Sequence, residues 1–327
     1  MQQRELGKDG PKVGAVGLGC MSFSCMYGPT DEAEAHRTLA SALDLGVTHL
    51  DTAQIYGMGL SETIIGSFLK QNKHHFSIAT KAGIITKPER RLDHSPELLR
   101  SSLEGSLKRL GVDFVDLFYV HRREQERPIE EVTHTLVEFV KEGKIGGFGF
   151  SEISPSSLRR AASIHPVRAV QNEYSLWTRM PELGLIRACK EVGAAFVAFS
   201  PVARGMFADR SPDPATFADH DIRKRNPRFI EPNFSANVAA ISAFRDYAES
   251  QSISAATMAL AWVLAQGDHI IAIPGTRTSD HLQQDAEGGA VQLSAEQLSR
   301  IDELLPPGFA HGDRYNDQQM VGVERYC

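Results

Sequence analysis

The stretch Gly46-Val-Thr-His-Leu-Asp51-Thr-Ala-Gln-Ile-Tyr56-Gly57 decides how the rest of the chain is read. Thr48–Ala53 is a short, β-branched and apolar run, and it brings an acid, Asp51, to its end. Continuous runs of this kind mark strands buried on both faces, as in parallel sheets. Seven more recur: Val13–Cys20, Phe76–Ala82, Val115–His121, Ile145–Ser151, Ala169–Tyr174, Ala195–Ser200 and Ile270–Pro274. Capped helical patterns lie between them. Ser95-Pro96-Glu97 supplies an N-cap, a proline at the first helical position and an early acid. Leu99, Leu103, Leu107 and Leu110 follow at helical spacing until Gly111 ends the helix. Ser154-Pro155 and the capping box Ser294-x-x-Gln297 open two others, and Glu142-Gly143 and Val192-Gly193 close two. Eight strands, each but the last followed promptly by a helix, predict an α/β fold: a single (β/α)8 barrel of the TIM type. Arg4–Leu6 and Lys12–Val13 flank Asp9-Gly10, which predicts a short N-terminal β-hairpin closing the barrel bottom. No linker or compositional shift divides residues 1–327, so they read as one domain. Residues 204–233 form a long, polar, proline-punctuated stretch after the seventh strand. Loops of this kind serve as lids or binding loops.

Composition narrows the function. Of 327 residues, 42% are hydrophobic and 23% charged, a globular balance with material for a large core. Lys and Arg total 35 against 41 Asp and Glu, a net charge of -6, so no basic excess exists to meet a nucleic acid. The mean hydropathy is -0.25, and no apolar run approaches the roughly 18–20 residues of a membrane helix. The first ten residues are polar and lack the apolar core of a signal peptide. Cys20, Cys25, Cys189 and Cys327 are scattered and form no C-x-x-C pair, so free thiols in the cytoplasm are expected.

Barrel chemistry gathers at the C-terminal ends of strands. That filter selects Asp51 after the second strand, Lys81 after the third and His121 after the fourth, with Tyr56 on the adjoining loop. Any one alone reads as a structural ion pair, a solvated side chain or an aromatic anchor. Four on successive strands read as a proton-transfer site. A phenol with a pKa of about 10 is a poor acid at neutral pH, and a neighbouring Lys81 ammonium favours its phenolate. Asp51 would keep Lys81 charged, and His121 would hydrogen-bond the same substrate oxygen. Other motifs fall short. Gly17-Leu-Gly19-Cys-Met-Ser22 has serine where a dinucleotide fingerprint needs its third glycine. His74-His75 and Asp219-His220-Asp221 lack a third metal ligand, so no metal site is expected.

The run from Gly46 through Asp51-Thr-Ala and Tyr56 to Gly59-x-Ser61-Glu62 resembles the signature of the aldo-keto reductases. The likeness continues through Thr80-Lys81, Asp116–His121, Gly147–Ser151, Gln171–Ser175, Phe199–Gly205 and Ile273–Arg277, in order over essentially the whole chain. It implies hydride transfer from NADPH to an aldehyde or ketone, with Asp51, Tyr56, Lys81 and His121 as the catalytic tetrad and Tyr56 protonating the alkoxide. It assigns Ser151 and Gln171, with Asp51 beside them, to the nicotinamide end, and Phe199 to stacking on the ring. Gly19 and Met21 fall on the loop beside the nicotinamide. Ser200, Pro201, Val202, Arg204 and Gly205 fall on the loop wrapping the pyrophosphate. Gly275, Thr276 and Arg277 match the site of the adenosine 2′-phosphate, with His281, Gln284 and Asp285 toward the adenine.

Three positions depart from the family pattern. Glu152 replaces an asparagine, and Gln284 and Asp285 replace a glutamate and an asparagine. An acid at Asp285, near a phosphate-bearing cofactor, would weaken the preference for NADPH over NADH. The basic run Arg223-Lys224-Arg225 reads as a loop face or as a lid over the cofactor phosphates. The expected substrate site is bounded by Phe23, Tyr27, Tyr56, His121, Trp177 and the segment 309–315, with Arg122 and Arg314 hinting at a polar or mildly anionic carbonyl compound. The expected partner is that small molecule, for a monomer or homo-oligomer. Two other readings are a Schiff-base lyase using Lys81 and a cofactor-binding regulatory subunit resembling potassium-channel β subunits.

Overall fold

A computed structural model describes residues 1–72 and 76–326. The expected His74-His75 pair and Cys327 lie outside the described residues. Strands β1 (Gln3–Glu5) and β2 (Lys12–Gly14) form the N-terminal hairpin. The barrel strands are β3 (Leu18–Gly19), β4 (His49–Asp51) and β5 (Ser77–Ala82), then, after a second small hairpin of β6 (Ile84–Ile85) and β7 (Arg91–Leu92), β8 (Leu117–Val120), β9 (Phe148–Ser151), β10 (Ala169–Glu173), β11 (Ala195–Phe199) and β12 (Ile270–Ile273). Eight of these run parallel in the order β12-β11-β10-β9-β8-β5-β4-β3. Single bridges, Val16 to Ala272 and Gly19 to Gly275, bring the first strand against the last. The (β/α)8 barrel of the sequence reading is therefore present.

Its helices are α1 (Glu32–Asp44), α2 (Leu60–Gln71), α3 (Pro96–Leu110), α4 (Ile129–Lys141), α5 (Pro155–Ala162), α6 (Leu185–Val192), α7 (Asn233–Ser250), α8 (Ala255–Ala265), α9 (Ser279–Gly288), α10 (Ala295–Leu304) and α11 (Asp317–Met320). None of the described helices is long and apolar enough to cross a membrane. The caps fall where the sequence puts them: the Ser95 side chain accepts from Leu98 N, Ser154 from Ser157 N, and Ser294-Gln297 forms the capping box. Helix α8 is apolar all round and nearly all buried, because α7 packs over its outer side.

One local feature differs from expectation. Val13–Cys20 is not one strand; its first part pairs with β1, and only Leu18–Gly19 joins the barrel. The hairpin drives Leu6 and Val13, both fully buried, into the barrel floor against Leu117, Tyr119 and Ile271. Above this plug the interior narrows. A side chain at Gly149 would place its Cβ 2.4 Å from the Ala169 carbonyl oxygen and 2.6 Å from the Tyr119 ring.

The rim is tied by ion pairs. Arg204 donates to both oxygens of Glu173 at 3.3 and 3.1 Å. Arg314 donates to Glu152 Oε1 at 2.9 Å, bonds Glu152 Oε2 as well, and reaches Glu173 at 3.4 Å. Glu152 sits in the left-handed region at φ 60°, where the family's asparagine is at ease and a glutamate is strained. Burial alone would push the Glu152 carboxyl up, yet the Arg314 guanidinium holds it below its ordinary value. Further along, the Glu324 carboxylate accepts from Ser154 N at 2.8 Å, Ser157 Oγ at 2.9 Å and Arg123 Nε at 3.1 Å. That pins the C-terminal tail to the positive end of α5.

Gly149→Ala overpacks the barrel interior and should cost about 1–3 kcal/mol, read as a lower urea midpoint at unchanged m-value. Arg314→Met leaves Glu152 buried without its cation, at about 3–5 kcal/mol near neutral pH. The Glu152 carboxyl is depressed in the folded chain, so its contribution is present above the unfolded value of about 4.3 and lost as pH falls through the folded one. The gap between parent and variant denaturant midpoints should therefore narrow below about pH 4.

Candidate active site

Strand pairing sets the chemistry. Because β4 and β5 are parallel neighbours with Asp51 opposite Ala79, the Lys81 side chain one pleat further on returns over the end of β4. The Lys81 ammonium bonds Asp51 Oδ1, donates to the Thr52 carbonyl at 2.9 Å and to the Tyr56 hydroxyl at 3.4 Å. Its side chain is 0% exposed. Asp51 Oδ2 accepts from Gln171 Nε2 at 2.7 Å, so the carboxylate cannot swing away. Tyr56 precedes a sharp turn through Gly57 and Met58 at φ 60° and 54°. The following Ser61-Glu62 anchors that turn: Ser61 Oγ donates to the Cys20 carbonyl at 2.9 Å, and Glu62 accepts from Thr80 at 2.6 Å and Arg109 at 2.7 Å. The Tyr56 and His121 rings meet edge-on, with centroids 5.8 Å apart.

Burial decides the protonation states. It raises the Tyr56 phenol above its ordinary value, outweighing the Lys81 ammonium, so the lowering expected from Lys81 is not the net result. Burial would lower the Lys81 pKa, but Asp51 and the Tyr56 hydroxyl carry it upward, and the ammonium stays charged. Burial, then the charges of Arg122, Lys81 and Arg90, take His121 well below its usual value, so it is a neutral imidazole. The constellation holds a protonated phenol beside a fixed ammonium.

These groups open into a cleft along the C-terminal rim. Asp51, Tyr56, His121 and Gln171 line it with Gly19, Met21, Tyr27 and Phe199. Ser200, Val202, Arg204 and Gly205 also line it, as do Gly275, Thr276, Arg277, His281, Gln284 and Asp285; Gly275 is bridged to Gly19. The β11 terminus is strained: Ser200, Ala203 and Arg204 all have positive φ, a concentration typical of functional loops. Arg277 donates to the Pro29 carbonyl at 3.1 Å and, among the described residues, has no acid within 4 Å. Burial pushes the Asp285 carboxyl well above the carboxylate range, so the negative charge expected to oppose a nearby phosphate is suppressed. An exposed aromatic face and an uncommitted guanidinium in one cleft fit a long molecule with a flat ring and a phosphate, as NADPH has.

Some sequence-selected residues sit elsewhere. Phe23 and Trp177 do not reach the cleft. Phe23 is fully buried in the main core. Trp177 packs edge-on against Phe207 and Phe229, with the Arg228 guanidinium 4.8 Å from its ring. An aromatic on a loop gains more by leaving water than by lining an open wall. Arg204 borders the cleft, but its guanidinium is spent on Glu173, and Arg314 is spent on Glu152. Ser151 is buried behind the cleft, its hydroxyl accepting from Arg122 Nη1 at 3.1 Å. Pro201 is also buried and flanks the cleft without lining it. Tyr315, within the expected 309–315 segment, does line it. The sequence reading left open whether Arg223-Lys224-Arg225 faced solvent or the cleft. Arg223 lines the cleft, with the Tyr27 ring 5.2 Å away and Asp221 paired at 2.7 Å, whereas Lys224 bonds Asp219.

Known proteins resemble the chain over most of its length. The model of the Aldo/keto reductase family matches residues 15–306. The aldo-keto reductase yakc of Schizosaccharomyces pombe, whose name specifies NADP(+), is 38% identical over 320 residues, covering 95% of this chain and 94% of its own. A probable aldo-keto reductase 1 of Glycine max is 38% identical over 96% of this chain and 92% of its own. Among solved structures, the glycerol dehydrogenase of Gluconobacter oxydans superposes with a TM-score of 0.84 at 29% identity, covering 93% of this chain and 94% of that one. An aldo-keto reductase of Bacillus halodurans, in its holo form, superposes at 0.77 with 26% identity over 98% and 99%. Matched by that family's model over residues 15–306 and 38% identical to such proteins over more than nine-tenths of its length, the chain belongs to the aldo/keto reductase family.

Proposed function

We propose that the protein reduces an aldehyde or ketone to the alcohol at the expense of NADPH. The observation that carries this reading is the Lys81 ammonium 3.4 Å from the Tyr56 hydroxyl, in a cleft that the uncommitted Arg277 also lines. When bound, NADPH supplies the hydride that adds to the carbonyl carbon. Gln171 would hold the carboxamide, Phe199 would support the ring, and Arg277 would take the 2′-phosphate bidentately.

The carbonyl oxygen sits between Tyr56 and His121 in this reading. His121, neutral, donates a hydrogen bond that fixes the oxygen and polarises the carbonyl. As negative charge grows on that oxygen, Tyr56 gives up its proton, and the phenolate left behind faces the Lys81 ammonium. Lys81 keeps all its protons throughout; Asp51 and Gln171 keep it aimed. The same pairing speaks against the Schiff-base lyase, because a lysine must be neutral to attack, and Asp51 holds Lys81 charged.

Tyr56→Phe should lower turnover of a reactive aldehyde by about 10²–10⁴-fold while leaving NADPH affinity within about threefold, since the hydroxyl alone is lost. Fluorescence titration and single-turnover absorbance separate the two, and a variant as fast as its parent would remove Tyr56 as the acid. Arg277→Ala should weaken NADPH by about 10–100-fold, the scale of a charged phosphate contact, and leave NADH nearly unchanged. Equal weakening of both cofactors would place the 2′-phosphate elsewhere.

A further inference from the structure

We infer that Arg122 reads a carboxylate on the substrate, so that the favoured carbonyl compounds are anionic. This rests on the reductase reading above and names its substrate class. Arg122 follows His121 directly and lines the same cleft as Tyr56 and His121. Its Nη1 donates to the His121 carbonyl at 2.8 Å and to Ser151 Oγ at 3.1 Å, and its Nη2 to the Tyr315 hydroxyl at 3.3 Å. All three partners are neutral oxygens. Nε–H and one Nη2–H have no partner among the described residues, and they belong to the two nitrogens that grip a carboxylate side-on.

Among the described residues no acid pairs with Arg122 directly, and Glu152, within Coulombic reach of it, is already held by Arg314. The other guanidinia that touch the rim are accounted for: Arg204 by Glu173, Arg314 by Glu152 and Arg223 by Asp221. Arg277 also has no acid within 4 Å among the described residues, and the reading above gives it to the cofactor phosphate. Arg122, directly after His121, has no acid within 4 Å among the described residues. Arg90, exposed at the turn between β6 and β7, adds a second cation beside it. Arg90 donates to the Gln318 carbonyl at 3.0 Å and, among the described residues, has no acid within 4 Å. The chain carries a net charge of -6, so two neighbouring guanidinia with no acid within 4 Å among the described residues are not a reflection of its bulk charge. Such a pair concentrates anions. The Phe199 and Tyr315 rings, with centroids 6.0 and 5.9 Å from the guanidinium carbon, give the flat, apolar walls that keep water from competing.

The test uses a matched pair, 4-carboxybenzaldehyde and 4-methylbenzaldehyde, with saturating NADPH. The parent should favour the carboxylated compound in kcat/KM. Arg122→Met should cut that preference by about 10–100-fold, whatever happens to the rate common to both, and Arg122→Lys should retain part of it. A ratio unchanged within about twofold in Arg122→Met overturns the inference. If that variant does not fold, the parent itself decides. Raising KCl should raise KM for the carboxylated aldehyde and spare the neutral one, and equal salt responses overturn the inference. Failure of the reductase reading looks different: neither aldehyde is turned over. In that case binding of 4-carboxybenzyl alcohol, measured by calorimetry in parent and Arg122→Lys, upholds the anion site if it weakens with the substitution and sinks it if it does not.

Discussion

A fully buried ammonium is the constraint on which the site depends. Removing a lone cation from water costs several kcal/mol, recovered only where geometry and hydrogen bonds are both good. Lys81 meets that demand with three acceptors: Asp51, the Thr52 carbonyl and the Tyr56 hydroxyl. Each comes from a place the fold fixes independently. Asp51 is set by the β4–β5 register and by Gln171 across the barrel mouth. Thr52 is the backbone just beyond β4. Tyr56 is delivered by a turn with two left-handed residues, braced by Ser61 and Glu62. The acidity of the phenol is therefore a property of the barrel, since burial lowers it and the Lys81 ammonium limits how far.

The rim outside this centre follows a related economy. Glu152 and Glu173 are buried acids on adjacent strands, and neither would be tolerable alone. Arg204, from the loop after β11, and Arg314, from the C-terminal segment, answer them, so two segments distant in sequence are fastened to the barrel by the same two carboxylates. A guanidinium at position 204 looks like a phosphate ligand when only its loop is considered. In the folded chain the nearer and more desolvated anion is Glu173, and it takes precedence. Among the described residues lining the cleft, Arg122 and Arg277 are left as the guanidinia without an acid within 4 Å.

How much of this the sequence discloses depends on range. The barrel is legible because strand and helix periods alternate locally, and Asp51, Lys81 and His121 are legible because a strand end tells where a side chain emerges. The division of Val13–Cys20 is not, since both halves are apolar and β-rich and only the pairing with Gln3–Glu5 tells them apart. Nor is the Glu152–Arg314 pair, whose members stand 162 residues apart. Phe23 and Trp177 show a different blindness. A loop aromatic reads equally as a binding wall or as core, and packing against Phe207 and Phe229 decides for Trp177. Helix α7 and the Glu324 latch carry no motif of their own.

Charge along the cleft then follows from which acids remain ionised. Asp51 is cancelled by Lys81, and Asp221 by Arg223. Asp285 looks in sequence like a repulsive charge near a phosphate, but burial with no cation to offset it keeps its proton on far above the usual carboxylate range. A protonated carboxyl is also, chemically, close to the amide of the asparagine that the family pattern has there, with one donor and one acceptor. The substitution thus removes less than its formal charge suggests, and Arg277 lines the cleft without an ionised neighbour to compete with a phosphate.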